Sequence, residues 1–103
     1  MNKYILDQSG TPQVCDDIFQ WGRWMEGSDD MRKLKCDHPI PGVRVSTVFL
    51  GLDYSFGASG PPVLWETMVF GGEHDGYQMR YKSREDALRG HAGAVVMVEG
   101  GAL

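Results

Sequence analysis

The chain is short of several things that would have narrowed its chemistry. It has only two cysteines, Cys15 and Cys36. Their spacing forms neither a CxxC pair nor a zinc-finger pattern, so two free thiols are expected. No apolar run approaches the ~20 residues needed to span a membrane. The longest near-apolar stretch, Val45 to Leu52, is interrupted by Ser46 and Thr47. Residues Met1 to Gly10 carry no hydrophobic export core, so the expected location is the cytosol. HxH, HExxH, GxSxG, GxGxxG and P-loop patterns are all missing, which leaves no nucleophile, metal or phosphate signature to follow. Lys and Arg are absent from Val45 to Met79. With a net charge of −4, a basic nucleic-acid footprint is not expected.

What remains is one domain of ordinary globular balance. The 103 residues are 42% hydrophobic and 23% charged, enough for a single core without metal or disulfide support. Glycine is the excess, 14 of 103, about twice the usual ~7%. Six of those glycines fall between residues 51 and 76. That segment also holds four acids, Asp53, Glu66, Glu73 and Asp75, whereas the rest of the chain balances ten acids against ten bases. The acidity is therefore local, and it points to a basic partner, a cation or a hydrogen-bond donor.

The pattern reads as α+β. Lys3 to Leu6 is β-prone, Ser9-Gly10 and Pro12 form a turn, and Gln13-Val14 return as a second strand. Asp17, with Gln20 three residues on, opens a helix. Ile18, Trp21, Gly22 and Met25 share one face of it, flanked by Phe19 and Trp24. Met31 to Cys36 fits a strand or a helical extension equally. Val43–Leu50, Val63–Phe70 and Tyr77–Lys82 are strands. Ser83 caps a last helix whose inner face is Leu88, His91, Ala92, Val95 and Val98 or Glu99, with Gly90 and Gly93 packing close to a sheet. The expected architecture is an antiparallel meander of about three to five strands with two helices packed on one face.

Candidate residues for binding gather around the central strand. The twelve-residue connection Gly51 to Pro62 carries Asp53, Tyr54 and Phe56 between glycines, and loops this long usually work or move. The plainer reading has both aromatics packing back on the sheet. Glu66 is exposed if Val63, Trp65, Thr67 and Val69 face the core, and buried if Leu64, Met68 and Phe70 do; exposure is the expectation. Glu73-His74-Asp75 reads as a solvated turn. Asp53, Glu66, His74 and Asp75 together would supply oxygen and imidazole ligands for a small metal-dependent hydrolase. Trp65 and Arg80 complete the candidate set. His91, alone on an apolar helix face, is expected as a hydrogen-bonded core residue, and His38 as solvent-facing.

Val45-Ser-Thr-Val-Phe-Leu-Gly-Leu-Asp53, Gly60-Pro-Pro62 and Trp65-Glu-Thr-Met-Val-Phe-Gly-Gly72 give the chain a further character. With them it resembles a family of small proteins of bacteriophages and prophages. The likeness continues through Asp75-Gly76, Arg80-Tyr81, Glu85 and Gly90-His91, and takes in Lys3 to Leu6 and the Trp21, Trp24 helix. The resemblance implies an accessory protein of the host bacterial cytosol. Such a protein acts on the host, for example as an inhibitor of a defence system, by binding a host protein or sequestering a small nucleotide-type signal. It supplies no catalytic residue and no cofactor. The family position after Asp53 is often histidine; here it is Tyr54, so a base or ligand at that place would be lost. A homodimer also fits a small sheet. A virion or morphogenesis component is the remaining alternative.

Overall fold

The structure is a computed structural model and describes residues 2–100. It is α+β, with a four-stranded antiparallel sheet, a two-stranded hairpin and three helices. The hairpin pairs β1 (Tyr4–Leu6) with β2 (Pro12–Val14). Asp7 closes its turn by accepting from the Ser9 and Thr11 amides, the Ser9 hydroxyl and the Gln13 side chain. Two helices follow, α1 (Ile18–Gly27) and the single turn α2 (Asp29–Arg32). Then come β3 (Lys33–Asp37), β4 (Arg44–Phe49), β5 (Trp65–Phe70), β6 (Gln78–Tyr81) and α3 (Arg84–Val98). The sheet order β3-β4-β5-β6 is a meander.

Alternation decides which face is buried. Val45, Thr47 and Phe49 on β4 lie opposite Val69, Thr67 and Trp65 on β5, and all six are almost wholly buried. Period-two patterning turns this face toward α3 and the intervening residues to the other side. Both larger helices use the same face. The Trp24 ring of α1 meets Phe49 edge-on at 5.9 Å between centroids, and Phe49 meets Trp65 at 5.1 Å. At the end of β4, Gly51 accepts from the Trp21 indole (3.0 Å) and from the Tyr4 amide (2.9 Å). Its φ of 76° is the left-handed backbone that favours glycine, and a Cβ there would also displace the end of the Met25 side chain.

The core is two apolar clusters with a polar layer between them. Leu6, Phe49, Leu64, Trp65 and Ala87 form one; Val43, Val45, Val69, Ala94 and Val98 form the other. Between them His91 Nδ1 lies 2.7 Å from Thr47 Oγ1, which lies 2.6 Å from Thr67 Oγ1. His91 Nε2 reaches Asp37 Oδ2 at 2.7 Å. With Asp37 ionised, Nε2 carries the proton. In the neutral ring Nδ1 then accepts the Thr47 hydroxyl, and Thr47 accepts that of Thr67. The histidine is thus a satisfied core residue, as its place on the helix suggested.

Several expectations shift by a residue or an element. Residues 31–36 prove to be both alternatives in succession, the end of α2 and then β3, which adds a fourth strand to the meander. The buried stripe of α3 is Ala87, His91, Ala94 and Val98, not the bulkier set, because the helix rides close to the sheet. Gly90 explains the closeness: a Cβ there would overlap the Tyr81 ring and hydroxyl. That hydroxyl is buried without a hydrogen-bond partner. Gly93 has open space around it instead, so it does not serve packing. On α1, Ile18 is 60% exposed and Phe19 76%. Only the Trp21, Trp24 and Met25 side of that helix is partly covered.

Three stability outcomes follow from this geometry, all read by denaturant unfolding. Gly90→Ala is expected to destabilise by roughly 1–3 kcal/mol through overpacking, while Gly93→Ala stabilises by up to ~1 kcal/mol through helix propensity. His91→Ala, which leaves the buried Thr47 hydroxyl without its acceptor and opens a cavity, is expected to cost about 3 kcal/mol.

Candidate binding site

The sheet face opposite α3 carries the residues between the core positions. On β5 these are Glu66, Met68 and Phe70, which oppose Val48, Ser46 and Arg44 on β4. Glu66 and Met68 also oppose Arg80 and Gln78 on β6. No described helix lies over this face. Glu66 nevertheless is not the exposed carboxylate that its face predicted. Its side chain is 11% exposed because side chains of the adjacent strand β6 cover it: Arg80 Nε donates at 2.9 Å and Gln78 Nε2 at 2.5 Å. Long side chains on flanking strands can do this without a second layer. The Arg80 guanidinium also lies over the Tyr54 ring at 4.4 Å, and Tyr54 meets Phe56 edge-on at 5.7 Å. Four of the candidate residues, Glu66, Arg80, Tyr54 and Phe56, are therefore one continuous stack. At the other end of the face Arg44 covers Phe70 at 4.3 Å.

Phe56 ends the stack at the tip of the long loop. It is 68% exposed and sits at φ 52°, the only described non-glycine residue with positive φ. An exposed aromatic held in the left-handed region costs conformational energy without returning core burial. Only Tyr54, half-buried beneath Arg80, packs back as the plainer reading of the loop anticipated.

The other candidates go elsewhere. Trp65 is 3% exposed within the core. Asp53 staples the loop: its carboxylate accepts from the Ser55 and Val63 amides, both at 2.9 Å. Burial pushes the Asp53 carboxyl up, and those amides outweigh it and hold it below the ordinary 3.8. Asp75 is used likewise, accepting from the Gly71 amide at 2.7 Å. His74 and Asp75 lie in the turn after β5, whereas the Asp53 loop precedes it. The six-residue strand between puts about 17 Å between the two ends. The proposed four-residue metal centre is therefore not assembled, and no group of three or more His, Cys, Asp or Glu among the described residues can hold a metal ion. The local acidity is largely spent inside the chain, on two loop carboxylates and the Glu66–Arg80 pair. It does not form an open site for a cation.

Sequence reasoning missed a second site. A cleft of about 660 Å³ lies on the helix side of the molecule, between the β1–β2 hairpin, the start of β3 and the start of α3. Lys33, Lys82 and Arg84 line it around an apolar floor of Leu6, Leu34 and Trp65. The register slips between Lys33 and Lys35, a bulge that re-aims side chains and sets Lys33 beside Leu34 at the cleft. Five separate segments supply this lining, so no linear motif announces it. The one local trace is Lys82-Ser83-Arg84, a basic pair around a helix cap.

Set against known proteins, the chain matches no family model, no curated protein and no solved structure. No described helix is long and apolar enough to cross a membrane.

The loop staple generates a prediction with a pH signature. Hydrogen bonds hold Asp7, Asp37 and Asp53 below the ordinary value of 3.8. For Asp7 the Ser9 side chain leads; for Asp37 it is His91. A depressed carboxylate stabilises the fold above its unfolded pKa, and that contribution is lost as pH falls through the folded one. Melting temperature is expected to stay level above pH ~5 and drop from about pH 4 downward. Asp53→Asn should shrink that drop and speed proteolytic cleavage between residues 54 and 62; an unchanged acid limb and cleavage rate would count against the staple.

Proposed function

We propose that this chain is a binding protein of the phage accessory kind, which acts on a host protein by covering part of its surface. The observation that carries this reading is the open sheet face ending in Phe56. Phe, Tyr, Met and Arg are the residues enriched at protein interfaces. Here Phe56, Tyr54, Met68, Phe70, Arg44 and Arg80 stand on one uncovered face. The strain at Phe56 is stored where it serves no core. Arg80 is held by the Glu66 carboxylate on one side and rests on the Tyr54 ring, so the surface is rigid before contact and loses little entropy on binding. With the nearby carboxylates engaged internally, the matching partner presents an apolar patch rather than a basic one. The sequence resemblance supplies the host setting.

Phe56→Gly tests this reading, because glycine accepts the left-handed backbone and removes only the exposed ring. The variant is expected to melt at or slightly above the natural temperature and to lose capture of the host protein, as measured by photo-crosslinking from the face into lysate. Undiminished crosslinking by Phe56→Gly defeats the reading. A natural chain that is dimeric by light scattering, with Phe56→Gly monomeric, makes the partner a second copy.

A further inference from the structure

The cleft beside α3 is independent of the open face and lies on the other side of the sheet. Its volume of about 660 Å³ falls inside the roughly 300–1,000 Å³ range of small-molecule sites. Its chemistry is divided. Lys33, Lys82 and Arg84 stand at the walls, and none of them forms an ion pair among the described residues. Glu85 is the one acid that borders the cleft, so the lining carries an excess of two positive charges in a chain of net charge −4. The floor is apolar, made by Leu6, Leu34 and Trp65.

Arg84 is the telling residue. It opens α3, the helix end where the backbone dipole favours acids and disfavours a cation. Asp86, two residues on, pairs with Arg89 and leaves Arg84 alone. Ser83 already caps the helix through the Asp86 amide at 3.0 Å, so Arg84 contributes nothing to the cap. A cation placed against the local rule, without an internal partner and facing a cleft, has an external one as its compensation. Lys82 comes in from the end of β6 and borders the cleft, with its ammonium turned toward Gly60 in the long loop, so Lys33 and Arg84 are the principal charges of the lining.

We propose that this cleft binds a nucleoside diphosphate, with the phosphates on Lys33, Arg84 and Lys82 and the ring against the apolar floor. An inorganic anion would use only the walls, and an uncharged ring only the floor. A ligand with two phosphates and one flat ring uses both. Arg suits this role through its paired donors, and the two lysines through point charge.

Isothermal titration of the full chain with ADP, and separately with inorganic pyrophosphate, decides it. ADP is expected to bind, to raise the melting temperature with ligand excess and to exceed pyrophosphate in affinity. Lys33→Glu and Arg84→Glu are each expected to weaken ADP by about tenfold or more, the worth of one charge-assisted hydrogen bond. Arg84→Glu also suits a helix N-terminus, so it keeps the fold, and its unliganded melting curve verifies that. Arg23→Glu, the same charge change at an exposed position of α1 outside the cleft, is expected to leave ADP binding unaltered. The proposal is overturned by no ADP binding at millimolar concentration, by pyrophosphate binding as well as ADP, or by an equal loss from Arg23→Glu.

Discussion

A histidine stands in the middle of the core where an apolar side chain would ordinarily be, and the rest of the molecule is arranged around keeping it satisfied. His91 sits 1% exposed, and its two ring nitrogens reach β3 through Asp37 and β4 through Thr47, with Thr67 extending the chain to β5. Apolar contacts alone would allow α3 to slide along the sheet at small cost, since one small residue packs much like the next. A buried polar group does not allow that, because each unmet bond costs about 1–3 kcal/mol. The three strands and the helix are therefore tied at one register. The two apolar clusters on either side supply burial, and the polar layer supplies position.

That position sets both candidate surfaces. Placing α3 on one face of the meander leaves the other bare, and the Arg44, Phe70, Glu66, Arg80 and Tyr54 contacts occupy it. Along the helix, Arg84 precedes His91 by seven residues, about 10 Å of rise, so fixing the histidine fixes the cation at the cleft. The depth of the helix is set separately by Gly90 against Tyr81. Register and depth together determine whether Lys33, on the edge strand, and Arg84, on the helix, converge on one cleft or stand apart.

The sequence disclosed most of this architecture and little of the sites. On β5 the inward set Trp65, Thr67 and Val69 followed from the expectation that Glu66 lies on the outer face, and the structure buries that set, because burial on one face imposes period two. Asp17 and Ser83 were legible as caps because capping is local chemistry. The exposure of Ile18 and Phe19 was not legible: periodicity reports that a helix has an apolar side, and tertiary packing decides how much of it is covered. Glu66 was misjudged for a related reason. Its burial comes from Gln78 and Arg80 on another strand, and strand pairing is not written at any single position. The cleft was invisible because its lining comes from five segments, each unremarkable alone.

Charge shows the same limit most sharply. Counted along the chain, the segment from Val45 to Met79 holds the whole excess of acid, and a basic partner or a cation follows naturally from that count. In the fold, Asp53 and Asp75 are spent on backbone amides and Glu66 on Arg80, so three of the four acids are answered within the chain. The ten basic residues balance the acids of the remaining chain on paper, yet Lys33, Lys82 and Arg84 stand around one cleft without an ion pair among the described residues. What a partner meets is the charge left over after the chain has satisfied itself. Around that cleft the local charge has the opposite sign to the sum, because three cations and a single acid, Glu85, line it, while Asp53 and Asp75 are engaged as loop acceptors elsewhere.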